Sequence, residues 1–395
     1  MKWASAVSDL DSLEAALDQC VGVVQEGLGS EAPDLAVVFA SPHHAQDYER
    51  LPQLIRERVG AKHVIGCSAG GVIGGGQEIE RRPGFSLTVA RLPDVEINPF
   101  HVDNDGMPDL DAGPDSWEEL VQTQASKEPN FLIITDPFSI RSENLILGLD
   151  YAFASSVKIG GMASGGQQQG DNALILDDQV YRSGAVGMAF QGDMAIDPIV
   201  AQGCRPIGRP MHVTKSQHNL LMELDDKLAL DILRELFESL SEDDKKLVQH
   251  SLFLGVVMDQ FQEDPRQGDF LMRNIVGMDA KEGALVIGEM LQEGQIVQFH
   301  LRDAKTSADD LSAMLARYCE EPRESSPAGA LLFSCLGRGI YLYGRADHDT
   351  DLFKDSVGSV PLGGFFCNGE IGQVGGTTYL HGYTSSFGIF RPKSR

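Results

Sequence analysis

The chain has 395 residues, enough for two to three domains of roughly 150 residues, and its 42% hydrophobic and 23% charged residues exclude a disordered chain. Asp and Glu number 58 against 32 Lys and Arg, so the net charge of −26 argues against nucleic-acid and anionic-membrane partners. No apolar run reaches the roughly 20 residues of a membrane span, and the amino terminus has no apolar signal core, so we expect a cytoplasmic, acidic protein.

Apolar periodicity predicts an amphipathic helix over residues 9–28, with Ser8 as its cap and Gly29 at its end. A first unit of alternating strands and helices follows this helix. It starts with a strand over 34–41 and a helix over 43–59. A short strand over 62–66 leads into the glycine loop GCSAGGVIGGG, and strands over 84–91 and 95–101 close the unit.

The same order of elements recurs twice along the chain. The second copy, with the loop GMASGGQQQG, is predicted over 130–136, 141–155, 158–160, 173–181 and 184–192. The third copy, with the loop GFFCNGEIGQVGG, is predicted over 330–335, 347–356, 360–363, 377–383 and 385–390. Strand–helix–strand order favours parallel pairing with a right-handed crossover, and the hairpins add antiparallel strands. We therefore predict that the loops 66–76, 160–170 and 363–376 lie at equivalent strand ends.

A distinct stretch separates the second copy from the third. Its helix, four strands and second helix are predicted over 226–240, 251–259, 270–277, 284–291, 295–301 and 305–320. Glycines and prolines break up the pattern at 205–225, where we place a domain boundary. The predicted fold class is α/β, with two packed domains, mixed parallel and antiparallel sheets, and repeated strand–helix–strand–hairpin units.

The segment GCSAG (66–70) follows a strand and matches G-x-S-x-G, the nucleophile elbow in which Ser68 would attack an acyl carbon. The elbow needs a helix directly after the serine, and the glycines at 74–76 disfavour one. Two further interpretations stay open: a tight turn that needs small residues, and a ligand-binding loop of backbone N–H groups and the Ser68 hydroxyl. No Lys-Ser or Lys-Thr follows the glycines, which argues against a phosphate-binding loop.

The string SCLGRG (334–339) ends an apolar strand. Cys335 is either a thiol activated by a cationic neighbour or a buried small residue at a sheet edge. The guanidinium of Arg338 can pair bidentately with a carboxylate, either that of a ligand or that of Glu370.

Residues 363–385 hold the densest polar chemistry of the chain. Asn368 and Glu370 lie in a glycine-flanked turn, and His381 and Thr384 follow within a few residues. These groups either build turns and a hairpin or converge on a ligand at the carboxyl ends of the strands. An arginine together with a glutamate suits a zwitterion, whose carboxylate and ammonium they would hold.

The six cysteines form no C-x-x-C pair and the ten histidines no H-E-x-x-H motif, so we expect free thiols, no metal and no cofactor. No catalytic residue is assigned. The candidate ligand-binding residues are Ser68, Ser164, Cys335, Arg338, Asn368, Glu370, His381 and Thr384.

The strings IGCSAGGVIGGGQEIE, LFSCLGRGIYLYG and LGGFFCNGEIGQVGG followed by HGYTSS resemble the FIST family, which joins F-box and intracellular signal transduction proteins. The resemblance implies a FIST N-terminal domain over 33–215 and a FIST C-terminal domain over 216–395. The N-terminal helix of residues 1–32 is too short for an F-box. The resemblance also implies a small-ligand sensory domain, with amino acids among its proposed ligands.

The predicted function is therefore a sensory protein that binds a small polar metabolite, such as an amino acid. No output module is recognisable in the sequence, so we expect signalling through a separate, unknown protein partner. The alternative is an acyl hydrolase or transferase that uses Ser68, Cys67 or Cys335. The sequence favours a binding protein over an enzyme.

Overall fold

A computed structural model describes residues 1–29, 31–262 and 264–393 of the chain. The chain divides into two units, one of residues 1–200 with 312–395 and the other of residues 201–311. The first unit contains both ends of the chain and all three copies of the repeated pattern.

Strands form most of the regular structure of the described residues. Before residue 202 they are β1 (Lys2–Ser8), β2 (Leu35–Ala40), β3 (His63–Ser68), β4 (Gly71–Gly74), β5 (Gln77–Glu80), β6 (Phe85–Arg91), β7 (Val95–Val102), β8 (Asn130–Thr135), β9 (Lys158–Met162), β10 (Leu174–Leu176), β11 (Gln179–Tyr181), β12 (Ala185–Gly192) and β13 (Ala195–Ala201). They continue with β14 (Cys204–Gln217), β15 (Leu220–Leu224), β16 (Lys227–Leu228), β17 (Leu252–Val257), β18 (Phe270–Asp279), β19 (Ala284–Ile287) and β20 (Ile296–Arg302). They end with β21 (Gly329–Cys335), β22 (Leu362–Cys367), β23 (Glu370–Val374), β24 (Thr377–His381) and β25 (Ser385–Arg391).

The helices of the described residues connect these strands. They are α1 (Leu13–Leu28), α2 (Leu51–Arg58), α3 (Pro114–Val121), α4 (Ser142–Ala152), α5 (Ala229–Ser239), α6 (Glu242–Ser251), α7 (Ala304–Glu320), α8 (Gly339–Tyr343) and α9 (His348–Val357). Short 3-10 helices cover Pro42–Arg50 and Ala125–Lys127.

Three six-stranded sheets of the first unit share one strand order. The orders are β1-β6-β2-β3-β10-β11, β7-β12-β8-β9-β23-β24 and β13-β25-β21-β22-β4-β5. In each sheet a central parallel pair is flanked by antiparallel strands: β2 with β3, β8 with β9, and β21 with β22. The predicted mixed sheets and repeated units are therefore confirmed, and the three glycine loops follow equivalent strands.

Each sheet receives its hairpin from another copy of the repeat. The first copy's hairpin β4–β5 extends the third sheet, the second copy's β10–β11 extends the first sheet, and the third copy's β23–β24 extends the second sheet. Strand β7, predicted to close the first unit, pairs with β12 in the second sheet. Pairing between residues this distant in sequence leaves no local pattern, so the sequence analysis assigned these strands to their own copies.

One glycine position explains why the repeat is visible in the sequence. Gly66, Gly160 and Gly364 occupy the same register of the second parallel strand in the three sheets. A Cβ added at these positions would lie 1.8, 1.8 and 1.9 Å from a carbonyl oxygen of the neighbouring strand. The backbones approach so closely that each position requires glycine.

The inner faces of the three sheets share one apolar core. Phe39 of the first sheet stacks on Phe365 of the third with ring centroids 4.5 Å apart, and Leu132 of the second sheet belongs to the same cluster. The outer face of the first sheet packs against α1 and α2, and that of the second against α3 and α4. These layers fix the carboxyl ends of the parallel strands relative to one another.

The amino-terminal segment differs from its prediction. Helix α1 begins at Leu13 and its cap is Ser12, whose hydroxyl accepts the N–H of Ala15. Ser8, the predicted cap, is the last residue of β1, which pairs with β6. The sequence analysis missed this strand because its alternating small residues carry a weak pattern. Gly29 ends the helix as predicted.

The second unit consists of a seven-stranded sheet and helices. Its order is β14-β20-β17-β18-β19-β15-β16, and β14 also pairs with β15, so the sheet closes on itself. Of the elements predicted between the second and third copies, the first helix and the four strands are present as α5, β17, β18, β19 and β20, and the second helix as α7. The glycines and prolines near residue 208 lie within β14, where the register shifts between Ile207 and Met211. None of the helices in the described ranges is both long and apolar enough to cross a membrane.

Candidate ligand-binding site

The first and second glycine loops are joined by hydrogen bonds. The N–H groups of Ser164 and Gly165 lie 3.3 and 3.2 Å from the carbonyl oxygen of Ser68, to which they donate. The N–H of Gly70 donates in return to the hydroxyl of Ser164, at 2.9 Å. The ends of β3 and β9 therefore meet, although the two loops lie almost a hundred residues apart.

The third loop joins the same cluster. The hydroxyl of Ser164 donates to the carbonyl oxygen of Phe366. The side-chain amide of Asn368 donates to the carbonyl oxygen of Ala163 at 3.3 Å. Leu336, which follows β21, packs against Gly70. A Cβ added to Gly70 would lie 2.7 Å from the Cδ2 atom of Leu336. All three glycine loops thus converge at the carboxyl ends of the parallel strands.

The accessible part of this cluster forms a single surface. We name the exposed and half-buried residues of the loops, 70, 165–167, 335–337 and 368, the three-loop surface. Exposed amides at Gln167 and Asn368 and the half-buried thiol of Cys335 provide its polar groups. Leu336, 38% exposed, provides an apolar one.

A buried polar chain supports the three-loop surface from below. Ser68 is 1% exposed, and its hydroxyl donates to the side-chain oxygen of Asn172 at 3.0 Å and accepts the N–H of Ala173 at 3.0 Å. The amide of Asn172 donates to the buried carboxylate of Asp136 at 2.9 Å. Strand β4 follows Ser68 where a nucleophile elbow would have a helix. Ser68 is therefore placed to hold loops together rather than to face solvent.

Cys67, the other nucleophile candidate of this loop, lies in the common core of the three sheets. Its side chain is fully buried, and burial raises the pKa of the thiol well above its ordinary value. A thiol in such surroundings is a poor nucleophile.

Arg338 lies below the surface, with no exposed area. Its Nε and Nη2 donate to the two carboxylate oxygens of Asp349 at 2.8 and 3.1 Å, and Nη2 also donates to the hydroxyl of Tyr343 at 2.6 Å. Burial disfavours the charge of Asp349, but the guanidinium overcomes this effect and holds the pKa of the carboxyl well below its usual range. The structure thus gives Arg338 a carboxylate partner other than Glu370.

Glu370 is also buried, and it holds the end of its hairpin. Its Oε2 accepts the N–H and the hydroxyl of Thr384 at 3.0 and 2.7 Å, and its Oε1 lies 3.7 Å from the donating Sγ of Cys367. His381 is the register partner of Glu370 and is 3% exposed, with Nε2 3.1 Å from the carbonyl oxygen of Gly372. These groups form a buried network beside the three-loop surface.

A buried acid joins the exchanged hairpin β4–β5 to helix α9. The Oε1 atom of Glu78 accepts the N–H groups of Asp349 and Thr350, both at 3.0 Å, in the first turn of α9. Burial, together with the charge of Asp349, raises the pKa of Glu78 from 4.5 to about 8. The folded protein therefore holds the proton of Glu78 more tightly than an exposed carboxyl group would be held.

The sequence analysis missed the buried residues Asn172, Asp136, Asp349 and Glu78, and also Gln167 and Leu336 of the three-loop surface. Asn172 had a usable signal, because it precedes its hairpin as Asn368 does. The N–H of Ser68 donates to the carbonyl oxygen of Ala173, directly after Asn172. The N–H of Met162 donates to the carbonyl oxygen of Gly369, directly after Asn368, and both distances are 2.8 Å. Aligning the three copies would have revealed this match, whereas Asp349 lies within a helix and carries no such signal.

Four surface cavities of about 310–840 Å³ lie away from the predicted site residues. The one of about 840 Å³ is bounded by the loop 104–111 with Arg141 and Asn144. Within the described residues no group of three or more His, Cys, Asp or Glu side chains is arranged to hold a metal ion.

Two family models match the chain, the FIST N domain over residues 34–227 and the FIST C domain over residues 229–373. The chain belongs to the FIST family. Neither matching model is an F-box. The family is one for which a sensory, ligand-binding role in signal transduction is suggested.

Relatives of this FIST protein occur in mycobacteria and plants. An uncharacterized protein of Mycobacterium tuberculosis strain H37Rv is 35% identical over 390 residues, 99% of this chain and 100% of that protein. An uncharacterized protein of Mycobacterium bovis is 34% identical over 380 residues, 96% of each chain. An F-box/LRR-repeat protein of Arabidopsis thaliana is 27% identical over 133 residues, 32% of this chain and 25% of that protein.

Among solved structures, a cyanuric acid hydrolase from A. caulinodans aligns over 100% of both chains, with 9% sequence identity and a TM-score of 0.34. At these values the similarity carries no conclusion about activity.

Proposed function

We propose that this FIST protein is a sensory module that binds a small polar metabolite, with an amino acid as the first candidate, at the three-loop surface. The observation that carries the proposal is the convergence of the three glycine loops through the hydroxyl of Ser164, which accepts from Gly70 and donates to Phe366. Binding groups of α/β proteins gather at the carboxyl ends of parallel strands, and here three such ends adjoin.

The chemistry of the three-loop surface suits a small zwitterion or another polar metabolite. The amides of Gln167 and Asn368 each offer donors and an acceptor, so they can pair with both a carboxylate and an ammonium group. Leu336 offers an apolar contact for a side chain of the ligand. The polar chain from Ser68 to Asp136 keeps these groups in place, which lowers the entropy cost of binding.

In this proposal the buried candidates act as supports rather than as ligand contacts. Arg338 and Glu370 are both fully buried and both carry protein partners, so neither reaches a ligand without rearrangement. They fix the segments that carry Leu336 and Asn368. His381 and Thr384 belong to the same support.

We also propose that the signal passes to a separate protein partner and that the protein acts in the cytoplasm. None of the six cysteines, all within the described residues, forms a disulfide, as is usual in a reducing compartment.

A thermal-shift screen tests the ligand proposal. Each common amino acid and a panel of central metabolites is added singly to the full chain, because a ligand present at a hundredfold excess over its Kd stabilises the native state by about 2.7 kcal/mol. We expect one chemical class to raise the melting temperature. Asn368→Ala should abolish this rise and, because its hydrogen bond to Ala163 is lost, lower the unliganded melting temperature by only about 2 °C. The matched control is Asn274→Ala, which removes an exposed asparagine of β18 and should retain the full rise.

The proposal fails if no probe raises the melting temperature, or if Asn368→Ala keeps the whole effect.

The acyl hydrolase or transferase alternative makes a different prediction, since it requires turnover. Of its three candidate nucleophiles, Cys335 is half-buried whereas Ser68 and Cys67 are buried. Steady hydrolysis of an activated acyl ester that disappears in Cys335→Ser would replace the sensory proposal with that alternative.

A further inference from the structure

Two cysteines lie side by side at the edge of the three-loop surface. Cys335 and Cys367 are register partners at the carboxyl ends of the parallel strands β21 and β22. Neighbouring strands are about 4.8 Å apart, and the Cα atoms of disulfide-bonded cysteines are about 4.4–6.8 Å apart. The backbone spacing is therefore compatible with a covalent bond between the two thiols.

The two side chains also project to the same face of the sheet. Register partners on parallel strands share a face, and residues two apart on one strand do so as well. Phe333 and Phe365, two residues before each cysteine, belong with Cys367 to the inner core. Ser334 lies on the opposite face, where its hydroxyl donates to Asp349 at 3.4 Å. The pattern of the strands thus places both cysteine side chains on the inner face of the sheet, beside one another.

The surroundings of the two thiols differ. Cys335 is half-buried, so a small molecule can reach it from solvent, whereas Cys367 is fully buried. Burial raises the pKa of the Cys367 thiol well above its ordinary value, and the neighbouring carboxylate of Glu370 adds to this effect. The Sγ atom of Cys367 lies 3.4 Å from the carbonyl oxygen of Ser334 and 3.7 Å from Oε1 of Glu370. Unlike Cys67, Cys367 therefore has a carboxylate beside it that can take its proton when it attacks. An oxidant therefore meets Cys335 first, and its register partner Cys367 is the thiol placed to react next.

We propose that Cys335 and Cys367 form a reversible intramolecular disulfide when the protein meets a peroxide. The thiol of Cys335 attacks the O–O bond, giving a sulfenic acid and one water. The sulfur of Cys367 then displaces hydroxide from that sulfenic acid, and its proton, passed through Glu370, leaves with the hydroxide as a second water. Two thiols and one peroxide thus give one disulfide and two waters, and a thiol reductant restores the starting state.

The geometry makes such a disulfide easily reducible. In-register Cβ atoms of parallel strands keep about the 4.8 Å strand spacing, but disulfide Cβ atoms lie about 3.8 Å apart. The bond must therefore draw the two strand ends together by about 1 Å, and strained disulfides are the labile ones. These strand ends lead directly into Leu336 and Asn368. The modification does not depend on the proposed ligand, although it would alter the surface at which we place it.

Peptide mapping after peroxide treatment tests the inference. The reduced full chain is treated with hydrogen peroxide, blocked with a maleimide, and digested with trypsin, which cuts at Arg338 and so separates the two cysteines. We expect a cross-linked peptide pair containing Cys335 and Cys367, a fall from six reduced thiols to four, and recovery of all six with dithiothreitol. Oxidised Cys335 beside an intact Cys367, or disulfides formed only through the exposed Cys319, would overturn the proposal.

Variants separate the two steps. Cys367→Ser should stop the reaction at the sulfenic acid of Cys335, which dimedone traps. In the variant Cys335→Ser, which changes a half-buried position, Cys367 should stay reduced. Oxidation of Cys367 in this variant at the wild-type rate would refute the order of events. Cys319→Ser is the matched control, because it removes the exposed thiol and should leave the cross-link intact. None of these readouts involves ligand binding, so failure here is distinguishable from failure of the proposed function.

Discussion

The substitution Arg338→Lys distinguishes a supporting role of this residue from contact with a ligand. It keeps the positive charge but removes the planar fork that holds both oxygens of Asp349 and the hydroxyl of Tyr343. A lysine of shorter reach and different shape can satisfy one of these acceptors well. Since Arg338 is fully buried, water cannot replace the bonds that are lost.

The expected cost follows from these contacts. Each hydrogen bond with a charged partner contributes about 1.5–3 kcal/mol, so the loss of two bonds, partly offset by the new ammonium bond, should lower the free energy of unfolding by about 3 kcal/mol. For a unit of this size a change of 1 kcal/mol moves the melting temperature by about 2 °C. We therefore expect a decrease of roughly 6 °C. Asp349→Asn should cost more, about 3–5 kcal/mol, because it leaves the buried guanidinium uncompensated.

Differential scanning fluorimetry with and without the ligand found in the screen measures both effects. The matched control is Arg345→Lys, since Arg345 pairs with Asp351 at 2.6 Å while both side chains are about half exposed. An exposed pair of this kind contributes about 0–1 kcal/mol, so the control should melt within about 2 °C of the wild type. We expect Arg338→Lys to melt earlier and still bind the ligand when folded. A variant of wild-type stability that has lost binding would refute the reasoning and make Arg338 a ligand contact.

Three further predictions concern other parts of the chain. Because the pKa of Glu78 is raised from 4.5 to about 8, the folded state holds the proton more tightly, so stability should fall as pH rises from 4.5 to 8. Urea titrations at several pH values should show that the free energy of unfolding falls less steeply with pH in Glu78→Gln than in the wild type, by up to about 1.4 kcal/mol per pH unit. Gly364→Ala places a Cβ 1.9 Å from a carbonyl oxygen and should prevent soluble expression, whereas Gly22→Ala, with open space around it on α1, should stabilise by about 0.5–1 kcal/mol in the same assay series. Brief iodoacetamide treatment followed by mass spectrometry should label Cys335 before Cys20, whose burial raises its pKa to about 12; equal rates would contradict this accessibility argument.

Local patterns determined the repeated units of this protein. The apolar runs of β2, β8 and β21 are buried on both faces, so each reads as a continuous hydrophobic strand. The glycines at 66, 160 and 364 mark close approaches of backbone, and a close approach excludes every residue with a Cβ. Such constraints act on single positions or short segments, which is why order, pairing direction and loop placement were predictable.

The tertiary structure alone decided which distant groups meet. The hairpins β4–β5, β10–β11 and β23–β24 join sheets of other copies, because hydrogen bonding between strands does not depend on their separation in sequence. Packing likewise gives Arg338 its partner Asp349, eleven residues on, although Glu370 is the acid that the turn motif made conspicuous. Asp349 is one of many acidic residues in this chain. Its role arises from burial beside a guanidinium, and burial is a property of the packed sheets rather than of any local segment.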